Sequence, residues 1–138
     1  MSSQKFNSQN APGPLGSYPH ARRVGDLLFL SGVGPRERVK KAIPGVTLDE
    51  NGKITSYDIE AQCHSVFANV KAILEDSGSS WDNLVDVTVF LTNMELDFKT
   101  YNKIYAEYFK DNQPCRTTVE INCLPTPIAI ELKCIATI

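Results

Sequence analysis

The sequence has no strong excess of either charge and no long apolar segment. Its 14 basic and 16 acidic residues give a formal net charge of -2, which does not supply the phosphate-neutralising surface that nucleic-acid binding requires. No apolar run approaches the roughly 20 residues needed to cross a bilayer, and the polar first residues lack the apolar core of a signal peptide. We therefore expect a cytoplasmic protein with no nucleic-acid or membrane partner.

Histidine and cysteine are also scarce. The chain has two histidines and four cysteines, with no Cys-x-x-Cys pair, so neither a zinc site nor a disulfide framework is indicated. We expect the cysteines to pack as small apolar side chains and no metal to be bound. The remaining composition, 42% hydrophobic and 22% charged in 138 residues, is typical of a globular protein and predicts one domain over 1–138.

Hydrophobic periodicity predicts the element order ββ-α-β-α-ββ. An extended or disordered lead-in over 1–17 comes before a hairpin of strands 21–24 and 27–31, and 32–55 is predicted as a loop with a basic cluster at 36–41. Later elements are helices over 58–77 and 98–110, the second capped by Asp97, and strands over 84–91, 115–123 and 128–137. Two helices can cover only one face of such a sheet. We therefore predict an α+β protein whose other sheet face is a candidate oligomer interface.

The strand at 115–123 carries the most chemical information. Period two places Thr117, Val119, Ile121 and Cys123 on an apolar face and Arg116, Thr118, Glu120 and Asn122 on a polar one. The strand over 128–137 turns Glu131 to the polar side, so a hairpin across 124–127 would give Arg116 and Glu131 one surface. A guanidinium suited to carboxylate binding, with a carboxylate base nearby, outlines an active site for a small organic acid. A solvated outer sheet face is the alternative.

Several motifs occur in a fixed order along nearly the whole chain. They are Ala11-Pro12-Gly13-Pro14-Leu15-Gly16-Ser17-Tyr18, the stretch 25–32, Asn69-Val70-Lys71-Ala72-Ile73-Leu74-Glu75, Thr88-Val89-Phe90-Leu91, Arg116-x-x-Val119-Glu120 with Leu124-Pro125, and Ile130-Glu131. With these motifs taken together, the sequence resembles the Rid family of reactive intermediate deaminases, also called the YjgF family.

The resemblance implies a chorismate-mutase-like α+β fold, assembled as a homotrimer with its sheets packed inward and three sites between subunits. It implies hydrolysis of enamines and imines of 2-oxo acids to the oxo acid and ammonia, without a cofactor. Arg116 would bind the substrate carboxylate, and Glu131 would position the water. Tyr18, Ser31 and Gly32 match the family's other site positions.

Three departures from the family pattern favour a specialised member. Thr118 stands where common members have cysteine, Val33 replaces the usual glutamine, and the loop over 34–53 is longer. Within the family, the resemblance implies a deaminase of the dicarboxylate 2-aminomuconate, which forms 4-oxalocrotonate and ammonia in aromatic-compound degradation. Thr118 or backbone N–H groups would stabilise the adduct, and the second carboxylate would be bound by Arg36, Arg38, Lys40 or Lys41.

The alternatives are a general 2-imino acid deaminase and a non-catalytic ligand-binding trimer on the same scaffold. The acidic balance disfavours a ribonuclease, and the basic loop is equally compatible with a solvated surface. The sequence leaves open the roles of His20 and Asn93, and Glu120 is expected in an ion pair or an interface.

Overall fold

The computed structural model describes residues 3–40 and 42–138, which form an α+β fold with two helices and a mixed sheet. The strands are β1 (Ser3–Phe6), β2 (Ala21–Val24), β3 (Leu27–Leu30), β4 (Val46–Leu48), β5 (Ile54–Tyr57), β6 (Leu84–Leu91), β7 (Cys115–Glu120) and β8 (Ile130–Thr137), and the helices are α1 (Ile59–Asp76) and α2 (Met94–Tyr108). The main sheet has six strands in the order β1-β2-β3-β8-β6-β7, and β4 and β5 form a separate pair. The β6–β7 pair is parallel, and the other pairs in the main sheet are antiparallel.

Two segments that the sequence predicted as irregular contain strands. The expected lead-in includes β1, which pairs with β2, and the expected loop over 32–55 includes the hairpin of β4 and β5. The Asp49 carboxylate closes that hairpin by accepting the N–H groups of Asn51 and Lys53 at 2.8 and 2.9 Å. Each of these strands has three or four residues and none of them is buried, so no apolar alternation marks them in the sequence.

The first helix agrees with its sequence signals. Asp58 caps α1 by accepting the N–H groups of Glu60 and Ala61, and Gly78 follows the helix end with a positive φ of 84°, the left-handed conformation that glycine adopts readily. The buried face of α1 consists of Gln62, Cys63, Val66, Phe67, Asn69, Val70, Ile73 and Leu74. The prediction of a helix over 58–77 is therefore confirmed.

The second helix begins earlier than predicted. It starts at Met94 because Asn93, and not Asp97, is its cap: the Asn93 side chain accepts the Leu96 N–H at 2.9 Å. Asp97 is instead 1% exposed and accepts a hydrogen bond from the Tyr57 hydroxyl at 2.5 Å. The aromatic residues correctly indicated a helix, but the prediction of Asp97 as its cap was wrong.

The predicted hairpin between the last two strands does not form. The segment β6–α2–β7 is a crossover unit that brings β7 parallel to β6, whereas β8 enters the sheet between β3 and β6. A helix between two neighbouring strands permits this parallel arrangement. Strand β7 is therefore an edge strand, separated from β8 by β6.

The faces of β7 are also the reverse of the prediction. Residues paired side by side in a sheet point to the same face, and Arg116, Thr118 and Glu120 pair with the core residues Val87, Val89 and Leu91. The three polar side chains consequently face the helices. Thr117 and Val119 pair with Thr88 and Phe90 and point to the opposite face.

The main core lies between the helices and one face of the sheet. Its sheet residues include Leu28, Leu30, Val87, Val89, Leu91, Ile130, Leu132, Cys134 and Ala136. The other face carries partly exposed apolar groups, among them Phe29, Phe90 and Ile135. All four cysteines are free: Cys63 and Cys134 are buried as expected, whereas Cys115 and Cys123 are exposed. None of the helices within 3–40 and 42–138 combines the length and apolarity that crossing a membrane requires.

Candidate active site

A pocket opens where β3 ends and β8 begins. Its walls are the lead-in, the residues directly after β3 and the segment that precedes β8. Five of the residues predicted from the sequence line this pocket: Tyr18, Ser31, Gly32, Arg36 and Glu131. His20 lines it as well. The fold thus brings together residues that are more than a hundred positions apart in the chain.

Glu131 is the titratable carboxyl group of the pocket. It lies on β8, paired with Phe90 on the sheet face away from the helices. Its carboxyl group packs against the backbone of Gly32 so closely that a Cβ at this position would stand 2.9 Å from Oε2. Burial raises the pKa of Glu131 above its ordinary value, because a charged carboxylate is poorly solvated there. A raised carboxyl pKa is suited to accepting and returning a proton near neutral pH.

The lead-in wall is fixed by hydrogen bonds to the rest of the protein. His20 Nδ1 accepts the Ser8 N–H at 2.8 Å, so the proton of a neutral ring is on Nε2, which donates to the Pro12 carbonyl at 2.6 Å. The Arg36 guanidinium donates to the Gly13 carbonyl at 2.6 Å. His20 and Arg36 therefore both hold this wall in place.

The segment after β3 is fixed to the sheet and to α1. Val33 and Leu132 exchange both backbone hydrogen bonds, at 2.8 and 2.9 Å, and the Ser31 hydroxyl donates to the Pro19 carbonyl at 2.7 Å. Asn69 on α1 donates to the carbonyls of Gly34 and Arg36, both at 2.9 Å. The sheet thus holds Val33, and α1 holds the backbone of Arg36.

The other predicted cations of the loop are not part of this group. Arg38 and Lys40 are exposed, and the lining residues do not include them. Lys41 lies outside the described residues. Within the described residues of the basic cluster over 36–41, Arg36 is the one that lies in the pocket wall.

Arg116 belongs to a second group of residues, between β7 and α2. Its guanidinium carbon lies 4.7 Å from the ring centroid of Tyr105 and 5.5 Å from that of Tyr101. Its Nη1 donates to Oδ1 of Asn102 at 2.8 Å. Thr118 is in the same group, since its hydroxyl lies 3.0 Å from that of Tyr101.

Glu120 and Asn93 have structural roles at the start of α2. The Glu120 carboxylate accepts the N–H of Met94 at 2.8 Å, and Asn93 caps the same helix. Every second residue of β7, Arg116, Thr118 and Glu120, therefore makes a hydrogen bond to α2. Within the chain, Glu120 makes a helix-capping contact and not the ion pair that was expected, and a role in an interface stays a prediction.

Arg116 and Glu131 of one chain do not share a surface, and this expectation was wrong. Strand β6 lies between them, and the two side chains leave the sheet on opposite faces. The sequence analysis also missed Asn102 and Tyr105 as neighbours of Arg116. Asn102 and Tyr105 are three residues apart on α2 and so lie on the same side of the helix. That spacing could suggest that they share a neighbour, but only the parallel pairing of β7 with β6 shows that the neighbour is Arg116.

Across residues 3–40 and 42–138, no group of three His, Cys, Asp or Glu side chains is placed to hold a metal ion.

Comparison with known proteins places the chain in a family. The family described as Endoribonuclease L-PSP matches residues 8–138. A RutC family protein of Pyrococcus abyssi is 36% identical over 136 residues, covering 99% of this chain and 98% of its own. Reactive Intermediate Deaminase A, chloroplastic, of Arabidopsis thaliana is 38% identical over 132 residues, which are 96% of this chain and 64% of that protein.

A solved structure is also similar to this chain. The crystal structure of Escherichia coli TdcF with bound serine has a TM-score of 0.84 and 29% identity, and the match covers 98% of both chains. The protein therefore belongs to the Endoribonuclease L-PSP family, which is the Rid, YjgF or RutC family. This confirms the family resemblance and the fold expected from it. None of these three relatives is named for 2-aminomuconate.

Proposed function

We propose that this protein is a hydrolytic deaminase that converts 2-imino acids and their enamine tautomers to 2-oxo acids and ammonia. The observation that carries the proposal is the partly buried Glu131, with its raised pKa, in a pocket with Tyr18 and Ser31. The Arabidopsis relative is named a reactive intermediate deaminase, and the TdcF structure contains serine, a small amino acid. These comparisons favour the general activity over the specialised one.

The proposal includes a homotrimer with three sites between subunits. A single chain keeps Arg116 and Glu131 on opposite faces of its sheet, so a second copy is needed to bring Arg116 to the pocket. Strand β7 is an edge strand with exposed side chains, which leaves it available to a neighbouring subunit. The number of copies follows from the family resemblance.

In the proposed reaction, Arg116 binds the substrate carboxylate and thereby fixes the adjacent C2 atom. The enamine is protonated at carbon to give the electrophilic iminium ion. Glu131 removes a proton from a water molecule as the water oxygen bonds to C2, and backbone N–H groups or Thr118 stabilise the adduct. Proton transfer to nitrogen and collapse of the adduct then break the C–N bond, which releases ammonia and the 2-oxo acid.

Subunit mixing tests both the residues and their assembly. We expect Arg116→Ala and Glu131→Gln each to lose activity, the first by about 30-fold or more, the loss expected for an unpaired carboxylate. When the two variants are unfolded together in equal amounts and refolded, sites built from two subunits would regain about a quarter of wild-type activity, because half of each contribution is intact. Sites confined to one chain would regain nothing. Ammonia release from an enzymatically generated imino acid is the assay.

A narrower substrate, 2-aminomuconate, is the second candidate, and Arg36 is the observation that favours it. Its guanidinium lies in the pocket wall and is held by one observed hydrogen bond, to Gly13. The remaining N–H donors of the group could bind the far carboxylate of a dicarboxylate substrate.

Arg36→Ala and Arg38→Ala provide the matched comparison, since both remove an arginine from the same loop and Arg38 is exposed. If Arg36 binds the second carboxylate, its removal raises KM for 2-aminomuconate at least several-fold more than KM for a monocarboxylic imine, while Arg38→Ala alters neither. Equal losses on both substrates would assign Arg36 to holding the lead-in. Absence of ammonia release from every imine would favour the non-catalytic ligand-binding trimer.

A further inference from the structure

We propose that Asn102 and Tyr105 of α2 are positioning residues that hold the Arg116 guanidinium ready to bind the substrate carboxylate. The inference rests on the proposed function, because it assigns the carboxylate to Arg116. It concerns two residues that the sequence motifs do not include.

The contacts restrain the guanidinium in two different ways. Contact with the face of the Tyr105 ring, with the guanidinium carbon 4.7 Å from the ring centroid, restrains the group from one side. The hydrogen bond from Nη1 to Asn102, at 2.8 Å, fixes its rotation within its own plane. With both in place, the edge formed by Nε and Nη2 remains able to donate two parallel hydrogen bonds to a carboxylate.

The position of Arg116 explains why such support is needed. The residue lies on an edge strand and is exposed, so an unrestrained arginine there would sample many rotamers and lose their entropy on binding. Holding the side chain in advance removes part of this cost. Asn102 is itself exposed, so its amide has no evident role in the core.

The Tyr105 hydroxyl is not required by this argument. It is buried and has no hydrogen-bond partner within the described part of the chain, whereas its ring makes the contact with Arg116. Tyr105→Phe keeps the ring and Tyr105→Leu removes it. The two substitutions therefore separate the ring contact from the hydroxyl.

The test is a double-mutant cycle on imine hydrolysis, with Asn102→Ala made in the wild-type and Arg116→Lys backgrounds. Lysine keeps the charge but lacks the planar group that Asn102 orients. We expect Asn102→Ala to lower kcat/KM about fivefold to tenfold in the wild type, through KM, and by less than about twofold in the Arg116→Lys background. Tyr105→Leu should cost about threefold, and Tyr105→Phe, which keeps the ring, should cost less than Tyr105→Leu. Lys103→Ala, an exposed change on the same helix, is the control.

Equal losses from Asn102→Ala in both backgrounds would overturn the proposal, since they would show an effect that does not pass through Arg116. So would wild-type kinetics in both Asn102→Ala and Tyr105→Leu. The NMR signals of the Arg116 guanidinium give a readout independent of turnover: separate Nη signals from restricted rotation are expected in the wild type and merged signals in Asn102→Ala. Unchanged guanidinium signals would overturn the restraint itself. An inactive wild type with these restrained signals would instead refute the deaminase function.

Discussion

Replacing Gly32 with alanine tests whether the position of Glu131 controls activity. The new Cβ would stand 2.9 Å from Oε2 and 3.1 Å from Cδ of Glu131, whereas an ordinary van der Waals contact begins at 3.4 Å. The difference requires the carboxyl group to retreat by about 0.5 Å, if the backbone of Gly32 stays in place.

The stability and activity effects of this change should differ in size. The displaced atoms are the end of a flexible side chain, so we expect the free energy of unfolding to fall by about 1 kcal/mol or less, the low end of overpacking costs. A catalytic group displaced by about 1 Å costs up to about 100-fold in rate. About half that displacement should lower kcat roughly tenfold.

Gly13→Ala is the matched control. It adds the same methyl group to another glycine of the pocket lining, but its Cβ would meet no atom within 4 Å. Ammonia-release kinetics and urea unfolding of both variants provide the measurements. The reasoning is refuted if Gly32→Ala retains wild-type kcat, or if Gly13→Ala loses as much activity as Gly32→Ala.

Two further predictions concern pH. Because burial raises the pKa of Glu131 above 4.5, kcat/KM should rise with pH through that higher pKa. Glu131→Gln should lose at least about 100-fold in activity and should no longer show this rise at acidic pH. The same rise in the variant would exclude Glu131 as the base. Burial also raises the pKa of Asp97 above 3.8, so its contribution to stability is present below pH 3.8 and is lost as pH rises through the folded-state pKa. The free energy of unfolding of Asp97→Asn minus that of the wild type, both measured in urea, should therefore increase from pH 4 to pH 7, because only the wild type loses this contribution. A pH-independent difference would contradict this.

The sequence determined most of the local elements, though not β1, β4 and β5, and much of the chemical inventory. The apolar spacing over 58–77 is sufficient for α1, because a helix presents every third or fourth residue to the same face. The motifs around Tyr18, Ser31 and Glu131 likewise suggested the site residues. All three line the same pocket.

The tertiary structure decided strand pairing, and with it the face to which each β7 side chain points. Alternation divides a strand into two sets of residues but does not say which set is covered by the helices. That choice followed from the parallel pairing of β7 with β6, which directs Arg116 towards α2 and leaves Glu131 on the other side of the sheet. Period two is a property of one strand alone, whereas pairing depends on contacts between segments far apart in the chain. For this reason the sequence could name Arg116 and Glu131, but only the fold could show that one chain keeps them apart.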